Sequence, residues 1–134
     1  MAQARPDAER PLSPHLQIYK PMLTTMMSIV HRMTGAALYI RTTLLAWWLV
    51  AAASGPEHFA LINGLAGSIV GKLVLFGYTW ALIHHMLGGI RHFIWDTGHG
   101  FGLQTIEIMA RATIAGSLAL TALVWGIAFA RGVI

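Results

Sequence analysis

Three apolar stretches, residues 26–53, 69–95 and 112–130, leave this chain few ways to fold. A helix crosses a bilayer in about 20 residues. All three stretches meet that length, and the first two exceed it. Only 10% of the 134 residues are charged, against about 25% in soluble domains. So few charges cannot clothe a water-facing surface, which excludes a soluble enzyme, a disordered tail and a nucleic-acid binder. The net charge of +4 fits loop topology rather than an anionic partner. There are no cysteines and seven histidines. Disulfides, iron–sulfur ligation and thiolate metal sites are therefore excluded, and any cofactor would be held by His.

The expected architecture is all-α and integral to the membrane, with three transmembrane helices in a larger bundle. Three helices enclose little, so partner helices are expected. Residues 1–25 form an N-terminal segment carrying Arg5, Arg10, Lys20 and four of the five prolines. Proline fixes φ and removes a donor, so this segment reads as extended or turn-rich. The following apolar run is too long for a signal peptide, and no small-residue cleavage site lies within reach. Residues 54–68 and 96–111 read as loops, because Ser54-Gly55-Pro56 and Asp96-Thr97-Gly98 carry turn residues.

Lysine and arginine favour the cytoplasmic side. They cluster in the N-terminal segment and flank 96–111 as Arg91 and Arg111, whereas 54–68 has none. The N-terminus and the 96–111 loop are thus expected in the cytoplasm, with 54–68 and residues 131–134 outside. Lys72 and Arg131 run against this bias, but both lie near helix ends, where long side chains snorkel. Trp47, Trp48 and Trp95 read as interfacial anchors.

Ionisable groups inside spans are costly and are functional candidates by default. In Ser28-Ile29-Val30-His31-Arg32-Met33-Thr34-Gly35, a 100° step puts Ser28, Arg32 and Gly35 on one face with His31 beside them. A hydroxyl, a guanidinium and an imidazole near the cytoplasmic boundary suit a quinone carbonyl or a carboxylate. Plain anchoring of Arg32 and His31 at lipid headgroups is the alternative. The second span ends His84-His85-Met86-Leu87-Gly88-Gly89-Ile90-Arg91-His92. His85, Gly89 and His92 share one face; His84, Gly88 and Arg91 share its neighbour. Neutral imidazole is a good iron ligand, and a glycine one turn on leaves room for a macrocycle. The alternative is interhelical hydrogen bonding by the histidines and close packing at the glycines.

A six-coordinate haem needs two axial ligands. His31 is expected near the boundary, about 15–20 Å along from a mid-membrane site by helical rise, and the third span has no histidine. The second ligand would then come from another polypeptide. Arg41, about 20 Å beyond Ser28 on roughly the opposite face, has no account in this pattern.

Three pieces together resemble the cytochrome b large anchor subunit family of succinate dehydrogenase, respiratory complex II. They are Arg10-Pro11-Leu12-Ser13-Pro14-His15-Leu16 with Tyr19; Ser28-x-x-His31-Arg32-x-Thr34-Gly35; and His85-x-x-x-Gly89-Ile90-Arg91-His92-Phe93-x-Trp95-Asp96-x-Gly98. The likeness spans about residues 10–98, and the third span matches only as an apolar helix. The resemblance implies haem b, shared with a partner, with His85 as iron ligand and His84 as the neighbour that could substitute. It implies Ser28 and Arg32 as ubiquinone-binding residues, with His31 near the haem propionates and quinone site. The implied partners are a flavoprotein, an iron–sulfur subunit and a second small anchor subunit giving the other axial His. The expected setting is a bacterial inner (plasma) membrane rather than a mitochondrial one. The chain alone is not expected to catalyse. The competing classes are a fumarate reductase anchor, a structural anchor without haem, and a His-relay proton channel; the last is weakened by the lack of Asp or Glu within the spans.

Overall fold

A computed structural model describes His15 and residues 18–134. The opening motif at 10–16, apart from His15, and the expected extended character of the first residues lie outside that range. Among the described residues there are four helices: α1 (Leu23–Ser54), α2 (Pro56–Gly67), α3 (Ile69–Asp96) and α4 (Leu103–Ala130). Helices α1, α3 and α4 are long and apolar enough to cross a membrane. At 1.5 Å per residue, α1 is about 48 Å long, well beyond the ~30 Å hydrocarbon thickness.

The bundle is built inside out. Most of its buried positions are small or polar, among them Ala81, His84, Arg91, Ala110, Thr113, Ser117 and Thr121, while large apolar side chains such as Ile69 (80% exposed) and Leu103 (88%) point outward. In water this arrangement would be unstable. In lipid, association comes from close packing of small residues and interhelical hydrogen bonds. The α3–α4 seam has both: His84 bonds to Ser117 at 3.1 Å, and Trp125 Nε1 donates to Thr79 at 3.3 Å.

The elements depart from the sequence expectation in two places. Residues 54–68 are not a loop, because α2 fills most of them. Pro56 opens it at a first-turn position, where the missing N–H costs nothing. Trp48 Nε1 on α1 donates to Asn63 Oδ1 on α2 at 3.2 Å. Helix α4 starts at Leu103 rather than 112. Its first turns are polar, with Glu107 and Arg111 paired at 2.6 Å in the i, i+4 relation that supports a helix. Charge there marks the edge of the apolar stretch, not the end of the helix.

The α2–α3 turn is tight. The Ser68 side chain caps α3 by accepting from the Gly71 N–H at 3.1 Å. A Cβ on Gly71 would meet the Leu65 carbonyl oxygen and lie 2.6 Å from that of Ala66. Gly71→Ala is therefore expected to destabilise by about 1–3 kcal/mol, the usual cost of overpacking. Gly64→Ala, in open space within α2, is expected to gain about 0.5–1 kcal/mol. Thermal unfolding of the detergent-solubilised complex measures both.

Candidate functional site

The α1–α3 crossing brings the two sequence signatures together. His31 and His85 stack with ring centroids 4.0 Å apart and planes 1° from parallel. The His92 ring lies 5.2 Å from His31. Two glycines permit this approach. A Cβ on Gly35 would sit 2.9 Å from Cε1 of His85, and one on Gly88 would strike the His31 ring, meeting Nδ1 and lying 2.9 Å from Cε1. Each helix thus offers a bare backbone where the other places an imidazole.

His85 is held by α1. Its Nδ1 lies 3.1 Å from the His31 carbonyl oxygen and 3.3 Å from Thr34 Oγ1. A carbonyl only accepts, so the proton of neutral His85 is on Nδ1 and the lone pair is on Nε2. Fixing one ring nitrogen by a hydrogen bond while the other is left for a metal is the usual arrangement of ligating histidines. Thr34 is buried and donates to the same His31 carbonyl at 2.9 Å.

His84 faces the other way. It is 2% exposed, points into the α3–α4 seam and meets Ser117. The Ser117 hydroxyl donates to the Ile114 carbonyl at 2.9 Å, so His84 Nδ1–H must donate to Ser117 Oγ. His84 is an interhelical clamp in this arrangement. The neighbouring-face reading of His84, Gly88 and Arg91 holds: all three are buried. Arg91 lies with its guanidinium carbon 5.1 Å from the Trp95 ring centroid. Trp95 also stacks on Phe101 at 6.5 Å, so it packs within the chain rather than only anchoring at the interface.

Ser28 and Arg32 stand on the exposed side of α1. They share the turn whose inward side carries His31. Helical rise puts His31 about 15–20 Å along from a mid-membrane site, yet its ring is in contact with that of His85 on the second span. His31 is still not placed to share a metal with His85. Axial imidazoles point end-on at an iron from opposite sides, and these two lie face to face. Arg41 is half-buried on α1, and nothing in the structure explains it.

An apolar groove of about 560 Å³ opens between α1 and α3 beside Thr34, lined by Ala37, Gly77 and Ala81 among others. Gly89, one turn beyond His85, has nothing within 4 Å of where a Cβ would stand. The groove and the bare position at Gly89 lie on either side of the turn that carries His85.

Fold and site define an all-α integral membrane protein whose spans cross on a pair of histidines. Residues 6–124 match the family described as succinate dehydrogenase/fumarate reductase transmembrane subunit. The chain is 43% identical over 114 residues to the succinate dehydrogenase cytochrome b556 subunit of Paracoccus denitrificans, covering 85% of this chain and 88% of that protein. It is 39% identical over 117 residues to the protein of the same name from Rickettsia prowazekii, covering 87% and 91%. The mitochondrial succinate dehydrogenase cytochrome b560 subunit of Sus scrofa is 34% identical over 122 residues, covering 87% and 72%. The chain belongs to the succinate dehydrogenase/fumarate reductase transmembrane subunit family.

Proposed function

We propose that this chain is the large cytochrome b anchor of a succinate:ubiquinone oxidoreductase, carrying one ligand of a haem b and part of the ubiquinone site. The observation that carries the reading is His85: its Nδ1–H is engaged by the His31 carbonyl, and one turn on, at Gly89, the helix face is bare. These residues fit a haem, which His85 would hold through Nε2. When bound, the haem supplies a one-electron redox centre within the bundle. A second imidazole would come from a second small anchor subunit, since the His31 ring lies face to face with His85 and the third span has no histidine.

Ser28 and Arg32 hold the quinone. Serine offers a rotatable donor, and arginine a fixed fork of charged donors to the oxygen that gains negative charge on reduction. Their turn lies near the expected cytoplasmic boundary, where an iron–sulfur subunit delivers electrons drawn from succinate by a flavoprotein. His31, between them on the inward side, links this turn to His85. The N-terminus is cytoplasmic and the C-terminus external, in a bacterial inner membrane.

The test is a reduced-minus-oxidised spectrum of the complex purified in mild detergent, with its subunits identified. The expected outcome is a b-type haem in a one-to-one ratio with this chain, alongside a flavoprotein, an iron–sulfur subunit and a second membrane subunit. Co-purification of those partners without b-type bands would leave a structural anchor and remove the haem.

A further inference from the structure

We infer that Thr34 is a positioning residue for the haem ligand, setting the electron-donating strength and orientation of His85; this rests on the haem reading above. Thr34 is 4% exposed, and its hydroxyl has two partners. It donates to the His31 carbonyl at 2.9 Å, which spends its own proton. Toward His85 Nδ1, 3.3 Å away, Oγ1 can therefore act only as an acceptor. The Nδ1–H of His85 is shared between that oxygen and the His31 carbonyl at 3.1 Å.

Acceptors on this N–H raise the basicity of the imidazole at Nε2, and Thr34 supplies one of the two. A more basic axial ligand stabilises ferric over ferrous iron and holds the reduction potential down. The same pair of acceptors orients the ring, and the bare backbone at Gly35 leaves room for its Cε1. The device also ties the ligand to the quinone residues, because the carbonyl that holds His85 belongs to the residue between Ser28 and Arg32.

Valine matches threonine in shape and lacks the hydroxyl; serine keeps the hydroxyl. The experiment is a redox titration of the haem in the purified complex carrying Thr34→Val or Thr34→Ser, followed at the b-type bands. Thr34→Val is expected to retain low-spin haem and shift its midpoint potential upward, and Thr34→Ser to return it toward the wild-type value. A potential that is unmoved or lowered in Thr34→Val, or a serine variant displaced as far as the valine one, overturns the assignment. If Thr34→Val does not assemble, Thr34→Ala against Thr34→Ser makes the same comparison of hydroxyl absent with hydroxyl present. The two failures are distinct: a wild-type complex without b-type bands sinks the haem reading, whereas normal bands with an unmoved potential sink only the role of Thr34.

Discussion

Gly89→Val is expected to abolish haem incorporation while leaving the chain's own packing intact, and Gly88→Val is expected to break the packing itself. The two glycines are adjacent, yet their surroundings are opposite. A Cβ at 88 drives into the His31 ring, 2.9 Å from its Cε1 and closer to Nδ1. That ring is stacked on His85, so it cannot retreat without moving the ligand or parting α1 from α3. Overpacking of this kind costs about 1–3 kcal/mol in a yielding core, and a β-branched side chain against a clamped ring belongs at or above the top of that range. A Cβ at 89 meets nothing within 4 Å, and within the chain valine there is better suited to a helix than glycine. Its effect arises only if a macrocycle lies along that face beside His85. The measurements are haem-to-chain ratio and detergent stability. Gly88→Val should lower both, and Gly89→Val only the first. Full haem in Gly89→Val would move the macrocycle elsewhere.

In assembled complexes, Arg32→Lys is expected to slow electron flow from succinate to ubiquinone by roughly ten- to a hundredfold, with Ser28→Ala causing a smaller loss. A preorganised donor to developing negative charge is worth a few kcal/mol in a water-poor site, and each tenfold is about 1.4 kcal/mol. Both residues are exposed on α1, and among the described residues neither side chain has a hydrogen-bond partner, so they are free to take a ligand or meet a partner subunit. The competing reading, interfacial anchoring of Arg32, makes Arg32→Lys mild because the charge remains. A quinone site makes it severe because the planar fork is lost. The assay compares ubiquinone reduction with reduction of an artificial dye that takes electrons upstream. A wild-type ratio in both variants would remove these residues from the quinone site.

The spans were readable because their evidence is a deficit of charge, which does not depend on how helices meet. Helix α2 was not, because Ser54-Gly55-Pro56 read as a turn and the Pro56 start signal was absorbed into it. The start of α4 was missed because Glu107 and Arg111 end the apolar stretch without ending the helix. On α3 the split into two neighbouring faces followed from periodicity alone, but that His84, Gly88 and Arg91 form the buried one did not. The register of α1 against α3 could not be obtained that way. It is fixed by two reciprocal contacts, Gly35 against His85 and Gly88 against His31, between residues some fifty positions apart. Without them, counting helical rise only set His31 apart from a mid-membrane site and gave no contact with His85. Thr34 was visible in the first signature, but only its contact with His85 gives it a role.

The central claim is that this chain offers the iron one imidazole, and that it is His85 rather than His84. Replacing each by glycine leaves a space the size of the lost ring, which free imidazole can refill. The direct measurement is the visible and electron paramagnetic resonance spectrum of complexes carrying His85→Gly or His84→Gly, with and without added imidazole. His85→Gly is predicted to lose the six-coordinate low-spin signal and regain it on adding imidazole, while His84→Gly keeps that signal throughout. Retention of the low-spin signal in His85→Gly, with imidazole-reversible loss in His84→Gly, would contradict the account.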